Sequence, residues 1–416
     1  MANSFAKDKM HTLFGEVAET TSMNMTLSKD MDVYDMSDAS DMGRTTESDG
    51  SGADIEYIPQ EYRFTVQDGH VSSGSDFQNL TDRMIPVRLN KSKRILTQIS
   101  TKDLRDPARM ERVKKGMAKD IAYAVDTTLY QEMINKSSIV ETSTTAFDYD
   151  LAIDAETTML NRGLSSFDKK LFLSSTHYRN VAKDLANAPR DIRVDDALTR
   201  AKIPNLATFD TMRSDYLLTL AANATTGLAI NGDQSHTVST YDSSGDFYLD
   251  NRQMTLAITG ATAGNLPVGT KFTIAGVNAL NPTTRTDNGE LQTFTVLSAT
   301  TGSAVVSPAI VISGPYANCS AEAADTAAVT IMNIASSAPS LFYTPESTVI
   351  VPGRLPVAPE ANNVNTIEAV TENGLPMRMT YEWDFHNEVL NCKTLIYFDT
   401  VVLHPEMLGC ILDNQA

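Results

Sequence analysis

The stretch TTESDGSGADIE, residues 45–56, places Asp49, Gly50 and Glu56 where a calcium loop would want carboxylate oxygens and a turn-forming glycine. Its first position is Thr45 where such a loop uses Asp, and no helical pattern flanks it, so it reads as an acidic linker. GATAG, residues 260–264, lacks both the Lys-Ser/Thr of a phosphate loop and the dinucleotide fingerprint, and its glycines read as turn residues. The six histidines, His11, His70, His177, His236, His386 and His404, are scattered over segments of different kinds, with no HExxH, and G-x-S-x-G is absent. Cys319, Cys392 and Cys410 form no CxxC or metal-ligand spacing, and an odd number does not suit a disulfide framework. The expectation is no catalytic residue, no metal and no cofactor.

What remains is acidity. The 416 residues carry a net charge of −18, which disfavours a sequence reader of nucleic acid and favours basic partners. A container for nucleic acid is a different case, because a negative wall keeps the packed polymer from adhering. Two acidic places stand out. In TYDSSGDFYLDN the residues Ser243, Ser244 and Gly245 form a flexible tip with Asp242 and Asp246 on either side and little apolar surface, so the tip should project into solvent. Near the N-terminus, MHTLFGEVAETTSMNM sets Leu13 and Val17 at helical spacing with Glu16 and Glu19 among the polar positions.

The elements that position these residues follow from periodicity. After the short N-terminal helix, residues 27–54 hold eight acidic and two basic residues among Ser and Gly, which predicts an extended arm. EYRFTV, with Tyr62, Phe64 and Val66 on one face, and the alternation Ile85, Val87, Leu89 predict two strands of a long hairpin whose edges need cover from another chain. Asp106-Pro107 opens the clearest helix. Met110, Val113, Met117, Ile121, Ala124, Val125, Leu129 and Met133 follow at spacings of three and four, opposite Arg109, Arg112, Lys114 and Lys115. Run to Asn135, it would be roughly 45 Å long. Residues 149–220 mix a helical segment, YDLAIDAETTML, with the apolar run KKLFLSS, an α+β pattern.

Between Ala221 and Ser340 only Arg252, Lys271 and Arg285 are basic, and strand-like runs recur: Met254–Ile258, Phe272–Ile274, Phe294–Val296, Val305–Val306, Ile310–Ile312 and Val329–Ile331. Asn231-Gly232, Gly264-Asn265 and Asn288-Gly289 mark turns. This predicts an inserted β domain, sandwich or barrel. Two strands follow it: MTYEWDFH, with Met379, Tyr381, Trp383 and Phe385 on one face, and TLIYFDTVVLHP ending at Pro405. No apolar run approaches the 18 residues a membrane span needs, and the N-terminus lacks a hydrophobic leader, so synthesis and folding in a cytoplasm are expected.

The combination, with Asp103-Leu104-Arg105-Asp106 before the long helix, Asp250-Asn251-Arg252 leading into MTLAITGATAG, and VGTKFTIAGV with Gly269, Lys271, Ala275, Gly276 and Val277, resembles the major capsid proteins of tailed phages. Within them it is similar to the coat proteins of short-tailed phages of enteric bacteria, with a telokin-like, immunoglobulin-type insertion. The resemblance implies an α+β, Hong Kong 97-like fold. Its parts would be an N-terminal arm (1–53), an extended hairpin loop (54–95), a peripheral domain with the spine helix (96–148) and an axial domain (149–223). The inserted β domain (224–342), an axial return (343–376) and peripheral C-terminal strands (377–416) would follow. It implies a structural protein, not an enzyme, that forms pentamers and hexamers of an icosahedral virion shell with an internal scaffolding protein and a portal protein. That shell, assembled in the bacterial host cytoplasm without membrane, would enclose double-stranded DNA. It further implies that Asp242 and Asp246 make a contact between capsomers, with Arg252, Lys271 and Arg285 the first partners to test, and that Glu16 and Glu19 meet a basic segment of the scaffold. A hydrolase with an appended immunoglobulin-like binding module is the alternative; it needs clustered acids, or a nucleophile with a base, in the flanking domain. A surface adhesin would need an export signal.

Overall fold

The computed structural model describes residues 5–34, 55–66, 70, 77–89, 91–100, 106–164, 168–187, 206–214, 218–245, 247–353 and 364–415. The chain divides into two compact units. The first comprises residues 1–56, 87–130 and 348–401; the second comprises 57–86, 131–347 and 402–416.

In the first unit, α1 (Phe5–Asn24) buries Phe14, Val17 and Ala18 and leaves Glu16 and Glu19 outward, as the helical spacing requires. The chain beyond it departs from the expected extended arm as far as it is described. Leu27, Ser28 and Met31 are buried, and β1 (Asp32–Val33) lies parallel to β15 (Thr348–Pro352). The cause is a tertiary hydrogen-bond set that composition does not reveal. Asp126 accepts from the backbone N–H groups of Thr26 at 2.7 Å and Ser28 at 3.0 Å, and from both hydroxyls. The rest of that expected arm, residues 35–54 with the calcium-like stretch up to Asp54, lies outside the described residues.

The long helix, α2 (Pro107–Lys136), starts where the sequence placed it: Asp106 Oδ1 accepts from the Ala108 N–H at 3.0 Å. Met117, Ile121, Val125, Leu129 and Met133 are buried along one stripe. β4 (Lys91–Ser100), β15, β16 (Val364–Val370), β17 (Pro376–Asp384) and β18 (Val389–Val402) complete a six-stranded sheet with β1, in the order β1-β15-β18-β17-β16 and with β4 also on β18. In β17, Met379 and Tyr381 are buried as expected, but Trp383 is 43% and Phe385 70% exposed, because the strand ends at Asp384 and turns.

The second unit contains a five-stranded sheet, β5-β19-β14-β6-β7, made of Ile139–Thr142, Leu408–Leu412, Ser340–Tyr343, Lys170–Leu173 and Asp210–Arg213. Helices α3 (Tyr149–Asn161) and α4 (Ser175–Asn187) accompany it, α3 being capped by Asp148 Oδ1 on the Leu151 N–H at 3.0 Å. Its core joins Leu151, Ala155 and Met159 to Leu171, Leu173, Phe342 and Ile411. After the barrel, β14 pairs in this sheet, β15 and β16 in the other. The C-terminal strands divide in the same way, β19 here and β17 and β18 there.

Strands β2 (Ile55–Pro59) and β3 (Met84–Arg88) pair, continued by the Gln60 N–H on the Arg83 carbonyl at 2.9 Å. EYRFTV is not a strand. β2 has taken the pairing of β3, and Thr65 instead bonds through its backbone N–H and carbonyl to the Gln78 side chain at 2.8 and 2.6 Å. Tyr62, Phe64 and Val66 are 47, 60 and 93% exposed.

The central module is a closed antiparallel barrel, β10-β11-β12-β9-β8-β13. Its strands are β8 (Leu228–Ile230), β9 (Met254–Thr259), β10 (Lys271–Leu280), β11 (Asp287–Thr300), β12 (Ser303–Ser307) and β13 (Ala328–Ile331). Closure removes both edges, and a closed ring differs from the two-sheet sandwich of an immunoglobulin-type domain. Two strand expectations change. Ile310–Ile312 is irregular, since Pro308 ends the ladder and Asn318 takes over, its Oδ1 accepting the Val311 N–H at 2.9 Å. β8, only three residues long, supplies the missing strand and bridges β9 and β13. Leu256, Ile258, Phe272, Ile274, Phe294, Val296 and Val306 fill the interior with no exposure, and the cross-strand rings of Phe272 and Phe294 stack at 5.6 Å. Burying each such side chain contributes about 1.5–3 kcal/mol.

Candidate assembly surfaces

The acidic loop is anchored by the residues that precede β9. Asn251, buried, accepts the Ser239 N–H at 3.2 Å and donates to the Ser239 and Leu249 carbonyls at 2.9 and 3.2 Å. Arg252 grips Asp250 in a two-point bond at 2.9 and 2.7 Å and donates its Nη1 to the Val402 carbonyl. At the tip, Tyr241 stacks on Tyr248 at 5.4 Å. The Asp242 carboxylate turns back on its own loop, accepting from the Ser244 and Gly245 N–H groups at 3.2 and 2.9 Å and from the Ser244 hydroxyl at 2.8 Å. Ser243, Ser244 and Gly245 are exposed as expected, Gly245 with φ 78°, while Asp242 is half-buried as the turn former. Asp246 lies outside the described residues.

Each of the three basic residues of the module has partners within its own chain. Arg252 is held by Asp250. Arg285 donates to the Gly314 and Pro315 carbonyls. Lys271 has no exposure at all: its Nζ donates to the Ile134 carbonyl at 2.6 Å, the Ser137 carbonyl and hydroxyl at 2.9 and 2.8 Å, and Thr295 Oγ1 at 2.9 Å. The Ile134 and Ser137 acceptors lie at the C-terminal end of α2, where a cation meets the helix dipole and carbonyls without helical partners. Burial nevertheless pushes the ammonium down to about 8. Gly269, two residues earlier, has φ +86°, and a Cβ there would stand 2.8 Å from Asn135 Oδ1. The Gly269 and Lys271 of VGTKFTIAGV are thus the points where the barrel meets residues 131–137.

Glu16 and Glu19 do not stand alike. The Glu16 carboxylate pairs with Lys114 of α2, whereas Glu19 is exposed.

One constellation was invisible in the sequence because its members lie far apart. Ser340 Oγ is 2.7 Å from His177 Nδ1, and His177 Nε2 is 3.1 Å from Asp413 Oδ1. The order Ser, His, Asp is that of a hydrolytic triad. Its setting is not. Ser340 and His177 have no exposure, Phe147 stacks on the imidazole at 4.6 Å and 9°, and Ser340 Oγ already accepts the Ser174 N–H at 2.9 Å. Burial works to raise the Asp413 carboxyl, but the His177 ring outweighs it and holds the group below its ordinary range. No substrate reaches these atoms; they tie α4, β14 and the C-terminal residues together. The thiols are equally inert, burial pushing Cys319 up to about 12 and Cys392 to about 11. Among the described residues no cluster of His, Cys, Asp and Glu could hold a metal, and no helix is long and apolar enough to cross a membrane.

The chain is similar to several solved capsid structures. A structure titled "Mycobacterium phage Che8" is 10% identical over 86% of this chain and 84% of that one, with a TM-score of 0.41. The "Asymmetric unit of bacteriophage PhiM1 mature capsid" is 10% identical over 87% and 82%, also at 0.41. The "CUS-3 coat protein I-domain" is 39% identical, covering 26% of this chain and 97% of that one, with a TM-score of 0.22. The model of the family "P22 coat protein - gene protein 5" matches residues 1–413. With a match running almost end to end, the chain belongs to the P22 coat protein family: it is a major capsid protein that builds a virion shell, a structural protein and not an enzyme.

Proposed function

We propose that this capsid protein assembles in the host cytoplasm around an internal scaffolding protein, as pentamers and hexamers of an icosahedral, Hong Kong 97-like shell. A portal protein occupies one vertex, and double-stranded DNA is packaged without sequence-specific binding. The phage is of the short-tailed enteric kind. The first unit serves as the peripheral domain with α1 and α2, and the five-stranded sheet of the second as the axial domain. The inserted module is the barrel described above, in place of an immunoglobulin sandwich.

The observation that carries this reading is the exposed apolar segment around β2 and β3. Tyr62, Phe64, Val66, Phe77 and Leu80, 47 to 93% exposed, all fall between residues 62 and 80. Such a patch calls for cover by a neighbouring subunit. The net charge of −18 suits a wall that does not hold the DNA it encloses.

Glu19, with Glu16 beside it, offers the scaffold a negative face on α1. Replacing both with Lys should lower scaffold incorporation into shells, most at low salt where attraction is least screened. Since Glu16 already pairs with Lys114, Glu19→Lys alone should account for most of the loss. Scaffold content unchanged at every salt concentration would overturn the electrostatic contact while leaving the capsid role standing.

A further inference from the structure

Four arginines of the second unit, Arg63, Arg83, Arg162 and Arg252, line one cavity of about 70 Å3 together with Glu406. Two of them are matched by acids. Arg252 is gripped by Asp250, and Arg63 Nη2 lies 3.3 Å from Glu406 Oε1.

Among the described residues, Arg83 and Arg162 have no carboxylate in bonding distance. Arg83 stacks at 3.9 Å over the Tyr316 ring, and its Nη2 reaches the Glu61 carbonyl at 3.4 Å. Arg162, just beyond α3, is only 7% exposed and donates Nη1 to Gln292 Oε1 at 3.2 Å. The Nε of each is buried without an acceptor. A buried charged donor left unmet is among the costliest groups a fold can hold.

The charges confirm the crowding. Burial and then the Arg63 charge press the Arg83 guanidinium below its ordinary range, against the pull of Tyr316 and Glu406. Burial lowers Arg162 too, with Glu141, Glu290 and Glu406 opposing. Burial works to raise Glu406, but His404, Arg63 and Arg83 hold it low. Glu406 is the one carboxylate among the lining residues, while Asp250, Glu141 and Glu290 offset part of the arginine charge from outside the lining. The cavity has room for several water-sized atoms at about 10–15 Å3 each.

We propose that this cavity is a binding site for an oxoanion, a phosphate or a carboxylate, held between the guanidinium groups of Arg83 and Arg162. Planar guanidinium groups match such oxygens in two-point bonds. Bound there, the anion would join the segment around β3, the end of α3, the barrel and the residues before β19. The ligand is either free inorganic phosphate or a carboxylate of a second copy in the shell.

Calorimetry and thermal melting of the unassembled full-length chain, in sodium phosphate against sodium chloride at equal ionic strength, test it. Wild type should bind phosphate at one site and melt higher in phosphate. Arg83→Gln should weaken binding by about tenfold or more and lose the increment. Arg162→Lys, which keeps the charge but removes Nε, should do the same, and serves if the first variant folds poorly. Phosphate that binds subunits but not assembled shells identifies a neighbour's carboxylate as the occupant; binding in both identifies the free anion. No binding to wild type, or an equal increment in wild type and both variants, overturns the site.

Discussion

Lys271 shows how a residue quoted for its place in a motif can have a role that its type does not announce. Its charge suggested a surface partner for the acidic loop, yet its ammonium closes the C-terminal end of α2 from the outer face of β10. Lys271→Met would leave the Ile134 and Ser137 carbonyls unmet and should destabilise the chain by about 1–3 kcal/mol at pH 7. The pH dependence has a definite sign. With the folded value near 8 and the unfolded near 10.5, both states hold the proton below pH 8, and between 8 and 10.5 the unfolded state holds more. Wild-type stability should therefore rise relative to the Met variant across that window, read as urea midpoints of both proteins at pH 7 and pH 10. A wild-type advantage that shrinks as pH rises would contradict the assigned burial.

At the scale of elements, the sequence was most legible where one chain segment decides its own structure. The cap at Asp106 and the stripe from Met117 to Met133 set α2, and the alternations around Leu256, Phe272 and Phe294 set the barrel strands. It was least legible where a distant group decides. Leu27 to Met31 looked like linker until Asp126 supplied acceptors, and β8 was too short to register until β9 and β13 flanked it. EYRFTV had the alternation of a strand and no partner. The candidate site divides likewise: the exposed tip at Ser243–Gly245 could be read locally, whereas the Arg83–Arg162 cavity and the Ser340–His177–Asp413 set join residues far apart in sequence. The five-stranded sheet offers an element-scale test. Gly409 in β19 faces Phe342 of β14, and a Cβ there would fall 2.1 to 2.6 Å from buried ring carbons. Gly409→Ala should cost about 1–3 kcal/mol, seen as a lower melting temperature; an unchanged melt would mean that β14 and β19 do not pack as described.

For the whole molecule, interactions too weak to shape one subunit can decide an assembly that repeats them. An exposed ion pair contributes about 0.2–1 kcal/mol, so a contact of the loop with a neighbour would not register in a monomer's melt. Because Asp242 also folds its own tip, the informative change is Asp242→Asn with Asp246→Asn, which keeps acceptors for the Ser244 and Gly245 N–H groups and removes the charge. The double variant should melt like wild type and give shells that fall apart on dilution or break into tubes. Shells as robust as wild type would remove the loop's charge from the assembly.

The central claim is that this chain closes into a shell, and electron microscopy of the full-length protein made together with its scaffolding protein tests it most directly. Closed, uniform shells that the subunits form only with the scaffold present are the predicted result; dispersed, folded monomers with no shells or sheets under any of those conditions would contradict the account.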